Sequence, residues 1–303
     1  MDLLIRADAS PATGAGHVMR TSALAEAWAD AGAGRVGLVG RIAIEFARQR
    51  MAELGIVAQE RFPADARAAV LVVDSYDEAV RLEGGAWRAG TLRVLVDDLG
   101  GGVPAGFEVV WNPNPGGGEF LYPGFPGTVL SGAAYVPLRA GLPRWNGGQP
   151  GRVAVLLGGG QISPVLSGAM THLQEQGPGL SFSGAGGWVP RSWERLDAGQ
   201  PWSGVMCASA LITAAGTSLL EAASAGIPVV AVCTADNQAA MCDWARQAGV
   251  PVVDARRVAT AREVADGLSR ALPAARPLPP IANGAPTVAR RLLQLALERG
   301  APA

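Results

Sequence analysis

Short apolar runs punctuate the first half of this chain, and the stretches between them carry helical spacing. Leu3–Ile5, Val36–Val39, Val70–Val73, Val94–Val96 and Val109–Trp111 are too short for buried helices and lack polar alternation. They predict strands buried on both faces. Met19–Ala31, Ala43–Leu54 and Asp77–Arg88 predict the helices between them. Alternation of this kind implies βαβ units and a parallel sheet. The segment from 100 to 127 is rich in Gly and Pro, and apart from Val109–Trp111 it predicts loops.

A second alternation begins after residue 150. Arg152–Leu157, Leu180–Ser183, Ala210–Thr213, Val229–Val232 and Val250–Val253 predict strands. Pro164–Glu175, Ser218–Ala225, Ala239–Gln247 and Val258–Ala271 predict helices. The stretch from 138 to 151 is dense in Gly and Pro and reads as a linker. The expectation is an α/β protein of two Rossmann-like doubly wound domains, residues 1–143 and 151–303. Such sheets take ligands at the carboxyl ends of their strands, here in an interdomain cleft. The last amphipathic segment, Val288–Glu298 with Thr287 as a candidate N-cap, either belongs to the second domain or packs back across the joint.

Composition narrows the picture. The chain has 303 residues, 49% of them hydrophobic and 17% charged, enough to bury a sizeable core. Its net charge of −1 gives no electrostatic footprint for nucleic acid. Every basic side chain is arginine, so a phosphate site has no lysine to draw on. Cys207, Cys233 and Cys242 have no metal-ligand spacing and predict buried free thiols, with neither a metal nor a cofactor expected. No apolar run approaches ~18 residues, and no basic n-region followed by an apolar h-region is read at the start, so no signal peptide is expected. A cytoplasmic protein without an integral membrane segment is expected, and its oligomeric state is left open.

Candidate chemistry sits at the strand-to-helix turns. The strand Leu3–Ile5 enters a small-residue loop, and His17 stands where that loop becomes a helix. Helix N-termini and exposed backbone N–H groups suit anionic or sugar ligands. His17 is one of two histidines and is either a general base or a satisfied loop histidine. In the second half, Ala214-Ala215-Gly216-Thr217-Ser218 turns from a buried strand into a helix, where hydroxyls and N–H groups can hold a diphosphate. Glu221, one turn on, can accept hydrogen bonds from a ribose diol or stand as a solvated helix residue. Leu157-Gly158-Gly159-Gly160-Gln161 is a further glycine turn, and Asn237-Gln238 opens the next helix. Asp74 and Asp97 end two strands of the first half, on the rim that carries His17. Either can orient the imidazole, or cap a helix or turn.

Read together, these motifs resemble a known family. Arg6-Ala7-Asp8-Ala9-Ser10, then Gly14-x-Gly16-His17-x-Met19-Arg20, is similar to the N-terminus of the UDP-2,4-diacetamido-2,4,6-trideoxy-altropyranose hydrolases of pseudaminic acid biosynthesis. Asp74-Ser75-Tyr76, Val96-Asp97-Asp98, Asn112-Pro113-Asn114 and Tyr135-Val136-Pro137-Leu138-Arg139 follow in the family's order. So do Leu157-Gly158-Gly159, Gly216-Thr217-Ser218-Leu219-Leu220-Glu221, Gly226-Ile227-Pro228 and Asn237-Gln238. The resemblance implies a GT-B fold and a UDP-linked sugar as partner. It implies His17, Tyr76 and Asp97 as catalytic, and Gly14, Gly16, Arg20, Asp74 and Arg139 as binding residues of the first domain. In the second domain it implies Gly159, Gly216, Thr217, Ser218, Glu221, Asn237 and Gln238 at the nucleotide and sugar. Gln161 and Ser163 stand where the family often has an Asp, which departs from its pattern. The implied activity is hydrolysis of a UDP-sugar with inversion, His17 taking a proton from water. An inverting glycosyltransferase using the same residues is the alternative, and a non-catalytic nucleotide-sugar binding protein a third.

Overall fold

The computed structural model describes residues 1–62, 67–177, 179–258 and 260–300. The chain divides into two compact units, Met1–Ala140 with Ala282–Ala303, and Gly141–Ile281.

The first unit holds strands β1 (Leu3–Ala7), β2 (Val36–Val39), β3 (Ala58–Gln59), β4 (Val70–Asp74), β5 (Leu92–Val96), β6 (Val109–Trp111) and β7 (Thr128–Leu130). They form one sheet in the order β3-β2-β1-β4-β5-β6-β7, every pair parallel. Helices α1 (Gly16–Asp30), α2 (Glu45–Glu53) and α3 (Glu78–Gly85) connect them. β4 is buried at every position, as a central strand covered on both faces must be. β3 and β7 were not anticipated. They are two- and three-residue edge strands, ordered by the open edges of β2 and β6 rather than by their own pattern.

The second unit holds β8 (Gln149–Leu156), β9 (Ser181–Gly184), β10 (Glu194–Arg195), β11 (Ala208–Ala214), β12 (Val229–Cys233) and β13 (Val252–Asp254). Their order is β10-β9-β8-β11-β12-β13, again parallel throughout. Helices α4 (Pro164–Gln176), α5 (Trp202–Val205), α6 (Thr217–Ala225), α7 (Ala239–Gln247) and α8 (Ala261–Ala271) lie between strands or follow them. Cys233 and Cys242 are buried free thiols, whereas Cys207 is exposed, contrary to expectation.

The final helix, α9 (Ala285–Glu298), belongs to the first unit and not to a domain running from 151 to 303. Its apolar stripe, Val288, Leu292 and Ala296, joins the core formed by Leu24 and Trp28 of α1 and Leu3 and Ile5 of β1. Truncating a buried leucine such as Leu292 to Ala costs about 2–5 kcal/mol. Thr287 is not the N-cap; the helix begins three residues earlier, after Gly284. Gly284 is required there, because a Cβ would meet the Ala134 carbonyl at 2.5 Å and the Val136 amide at 2.7 Å. Asn283 Oδ1 accepts from the Ala285 and Leu138 amides, both at 3.0 Å, and so fixes the helix start against the segment before Arg139.

In each sheet the strand order reverses direction at one point, between β1 and β4 in the first and between β8 and β11 in the second. Loops leave in opposite directions at such a point and open a crevice at the carboxyl edge. Both groups of candidate residues fall there.

Candidate active site

His17 is the second residue of α1, and Arg20, three positions on, shares its face. β4 delivers Asp74 to the same place, since Asp74 pairs in register with Ala7 at the end of β1. Arg20 is buried and grips Asp74 with a two-pronged fork, Nε to Oδ2 and Nη2 to Oδ1, both 2.6 Å. Its third donor, Nη1, reaches Asp98 Oδ2 at 2.7 Å. The Tyr76 hydroxyl donates to the Asp98 carboxylate at 2.9 Å, and its ring meets the His17 ring edge-on with centroids 4.7 Å apart. His17 Nδ1 lies 3.7 Å from Asp74 Oδ1, so Nε2 is the ring nitrogen turned away from that carboxylate.

The electrostatics suit a resting base. Burial pushes the His17 pKa below its ordinary 6.5, and Arg20 adds to the effect; Asp74 and Asp98 pull the other way without compensating. The ring is therefore neutral near pH 7. Burial alone would raise the Asp74 carboxyl, but the charge of Arg20, joined at acid pH by that of protonated His17, outweighs it and holds the pKa below its usual range. One guanidinium faces two carboxylates, so the cluster keeps one net negative charge beside the imidazole. A proton arriving on His17 is thus electrostatically supported.

Asp98 is a site residue that the sequence did not single out, and Asp97 does not take the place expected of it. The Asp97 carboxylate accepts from Arg81 at 3.1 Å and from the Gly100 amide at 2.9 Å, away from His17. Adjacent side chains at a strand end point to opposite sides, so only one of two consecutive aspartates can face α1. The Asn112-Pro113-Asn114 motif holds this strand end. The Asn114 amide donates to the Asp98 carbonyl at 3.0 Å, and the Tyr122 hydroxyl donates to the Asp97 carbonyl at 2.8 Å. Asn112 donates to the Tyr122 oxygen at 2.9 Å. Burial, then the nearby Asp97, pushes the Tyr122 phenol well above its usual pKa, so it remains a donor.

The loop before α1 is more closed than its composition suggested. Gly14 has φ +76° and exchanges backbone hydrogen bonds with Ser10, at 2.7 and 3.3 Å. Gly14 thus shapes a turn, and its amide is already paired. Gly16 opens α1, which has no side-chain cap. Arg139 is half-buried and follows the Val136–Leu138 segment that docks on α9.

In the second unit, Gly159 follows β8 and Gly216 follows β11, so both lie at the carboxyl edge beside the reversal of strand order. Gly216 is the N-cap of α6, and no side chain caps the helix. Among the described residues, the Thr217 and Ser218 amides and hydroxyls have no protein hydrogen-bond partner. Glu221 is buried, and its Oε2 accepts from the Trp202 indole at 2.9 Å. Asn237 sits in the single helical turn Asp236–Gln238 after β12. The Gln238 side-chain Oε1 accepts from the Thr234 amide and hydroxyl at 2.9 and 3.0 Å, which ties the loop to its strand. Among the described residues no group of three or more His, Cys, Asp or Glu side chains is placed to hold a metal ion. No helix among them is long and apolar enough to cross a membrane.

No protein-family model and no curated protein matches the chain. Solved structures do. The spinosyn rhamnosyltransferase SpnG complexed with thymidine diphosphate matches with a TM-score of 0.57 at 16% identity, covering 98% of this chain and 96% of that one. The Streptomyces sp. SF2575 glycosyltransferase SsfS6, also complexed with thymidine diphosphate, gives 0.59 at 14% identity over 97% and 99% of the two chains. The glycosyltransferase SnogD from Streptomyces nogalater gives 0.56 at 19% identity over 98% and 99%. Two doubly wound parallel-sheet units, matched end to end by such chains, define a GT-B fold. The same matches correct the hydrolase expectation: these three chains, matched from end to end, are glycosyltransferases.

Proposed function

We propose that this protein is an inverting glycosyltransferase that uses a nucleoside-diphosphate sugar as donor. The observation that carries the reading is the buried His17–Asp74–Arg20–Asp98–Tyr76 cluster at the carboxyl edge of the first sheet. It supplies a neutral imidazole held against a carboxylate, and both carboxylates of the group are engaged by Arg20. Such a base activates a hydroxyl for direct displacement. His17 Nε2 takes the proton from the acceptor hydroxyl while the acceptor oxygen bonds to the anomeric carbon. The bond from that carbon to the diphosphate oxygen breaks, and the electron pair leaves with the nucleoside diphosphate. A single in-line displacement inverts the anomeric centre. Asp74, 3.7 Å away, stabilises the imidazolium that results. Arg20 and Tyr76 act as positioning residues, since their polar groups hold Asp74 and Asp98.

The donor is assigned to the second unit. The uncapped start of α6, with the Thr217 and Ser218 amides and hydroxyls, suits a diphosphate in a chain without lysine. Such donors also stabilise the charge that develops on the leaving group. Glu221 is assigned to the ribose, and Gly159, Asn237 and Gln238 to the turns around diphosphate and sugar. Thymidine diphosphate in two of the matched structures, and the sequence resemblance to UDP-sugar enzymes, support a uracil or thymine nucleotide. The test is to incubate the protein with UDP- and dTDP-sugars, with and without a panel of hydroxylated acceptors. Release of nucleoside diphosphate that depends on acceptor, with a matching glycosylated product, is expected. Release at the same rate without acceptor would refute the reading.

A further inference from the structure

Two helices hold the ends of β4 and β5 from opposite faces of the first sheet. Alternate residues of these strands join different cores. Val72 and Val96 lie in the one that contains α1, whereas Val73 and Leu95 lie in the one on which Val80 of α3 packs. Continued past the strands, the alternation turns the side chains of Asp74 and Asp98 towards α1 and that of Asp97 towards α3. An arginine waits on each face. From α1, Arg20 holds Asp74 and Asp98. From α3, Arg81 donates through Nε to the Ser75 carbonyl at 2.6 Å and through Nη2 to Asp97 Oδ1 at 3.1 Å.

The second arginine is fixed in place by the turn it serves. Asp77 caps α3 by accepting from the Ala79 amide at 2.8 Å, and the Ser75 hydroxyl accepts from the Asp77 amide at 3.1 Å. Arg81 lies one turn into that helix with its side chain 14% exposed, and the Asp97 side chain is 6% exposed. Water screens a surface ion pair, but a pair this buried keeps its field. Arg81 is among the groups that hold the Asp74 carboxyl below its ordinary range. His17 is faced by Arg20 of its own helix, by Asp74 and Tyr76 at the end of β4, and by Asp98 at the end of β5. These leave one net negative charge beside the ring. The Asp97 carboxylate, next to Asp98 in the chain, would make it two if Arg81 did not cancel it.

We propose that Arg81 and Asp97 form a positioning pair behind the base. Arg81 draws Asp97 and the Ser75 carbonyl to the α3 face, which leaves Asp98 and Tyr76 to the His17 face, and it cancels the Asp97 charge so that a single net negative charge meets the imidazole. This role rests on the reading of His17 as the base of a transferase, and adds the residues that set the charge around it. Neither side chain touches substrate. Their effect on His17 has a sign for each: loss of the Arg81 charge favours a proton on the ring, and loss of the Asp97 charge disfavours it.

Proton NMR of the full chain reads both signs without turnover. His17 and His172 are the two histidines, so His172→Gln leaves one imidazole C2 proton to follow between pH 4.5 and 8. Asp97→Asn keeps the shape and can still accept from the Gly100 amide, and it should lower the His17 midpoint. Arg81→Met should raise it. Arg81→Lys, which keeps the charge, should hold it near the native position, and Arg81→Met combined with Asp97→Asn should bring it back there. A pair that only braced the loop would not give opposite signs. If Arg81→Met does not fold, Asp97→Asn decides alone. An unmoved midpoint in Asp97→Asn, or movement in the same direction in both single variants, overturns the proposal. In transfer from a UDP- or dTDP-sugar, the acid limb of kcat/KM should follow the midpoint, with a several-fold loss at pH 6 relative to pH 8 in Arg81→Met. Midpoints that move as stated beside an unmoved acid limb would refute His17 as the base, and not the pairing that sets its charge.

Discussion

Replacing Arg20 by Met keeps a side chain of similar length and removes the charge that binds Asp74 to Asp98. In the native protein three short charge-assisted hydrogen bonds, of 2.6, 2.6 and 2.7 Å, converge on this buried guanidinium. Removing one partner of a buried ion pair leaves the other side desolvated and uncompensated, at a cost of about 3–5 kcal/mol. With an m-value of about 2–3 kcal/mol/M, that lowers the urea midpoint of the first unit by on the order of 1–2 M. The sign of the pH dependence is the sharper test. In the native protein the Asp74 pKa lies below 3.8, so its contribution is fully present above that value and lost as pH falls through the folded pKa. The native His17 pKa lies below 6.5, so acidification below 6.5 protonates the unfolded chain first and native stability declines. Without Arg20, burial dominates at Asp74 and raises its pKa above the unfolded value. The variant then gains stability as pH falls from 7 towards 4.5, opposite to the native chain. Hydrogen exchange of the β4 and α1 amides in urea, at pH 7 and 4.5, reads both quantities. A loss under 1 kcal/mol at pH 7, or the same slope with pH in both proteins, would refute the electrostatic account of the cluster.

Other consequences can be checked independently. Because the His17 pKa is depressed by burial, kcat/KM for transfer should stay level above pH 6.5 and fall only at lower pH; an acid limb with its midpoint above 6.5 would contradict the assignment. Glu221→Ala should weaken nucleoside-diphosphate binding by about 1–3 kcal/mol through loss of charge-assisted hydrogen bonds, measured by calorimetry. Trp202→Phe, which removes the indole donor at 2.9 Å, should weaken it less and show coupling to Glu221→Ala in a double-mutant cycle, strict additivity being the contrary result. Tyr122→Phe removes the donor to the Asp97 carbonyl and the acceptor of the Asn112 amide, and should cost about 1–3 kcal/mol in denaturant unfolding.

Much of the fold is legible because parallel strands buried on both faces are written as uninterrupted apolar runs. β6 and α7 begin and end where the pattern places them. The short edge strands β3, β7 and β10 are not legible, since a neighbour's unpaired edge creates them. The placement of α9 was left undecided by the chain for a related reason. An amphipathic stripe states that one face is buried but not against what; Gly284 and Asn283 fix the helix start against residues 134–138, and the stripe then packs on α1. At the site, His17, Arg20, Asp74 and Tyr76 are brought together by motif positions that adjoin strand ends. The choice between Asp97 and Asp98 turns on which way one strand end faces, which two consecutive identical residues cannot encode. The hydrolase expectation failed at another level. A base that takes a proton from water and one that takes it from an acceptor hydroxyl use the same side chain.

The central claim is that His17 is the base of an acceptor-dependent transfer, and His17→Asn tests it most directly. Asparagine keeps a polar side chain at the start of α1 but cannot take a proton near neutral pH. General base catalysis contributes ~10²–10⁴-fold, so transfer from a UDP- or dTDP-sugar should fall by that order. Donor affinity should stay within a few-fold of wild type, because the diphosphate and ribose are assigned to the other unit. Single-turnover transfer, measured beside calorimetric donor binding, separates the two effects. Transfer by His17→Asn at the wild-type rate would contradict the account.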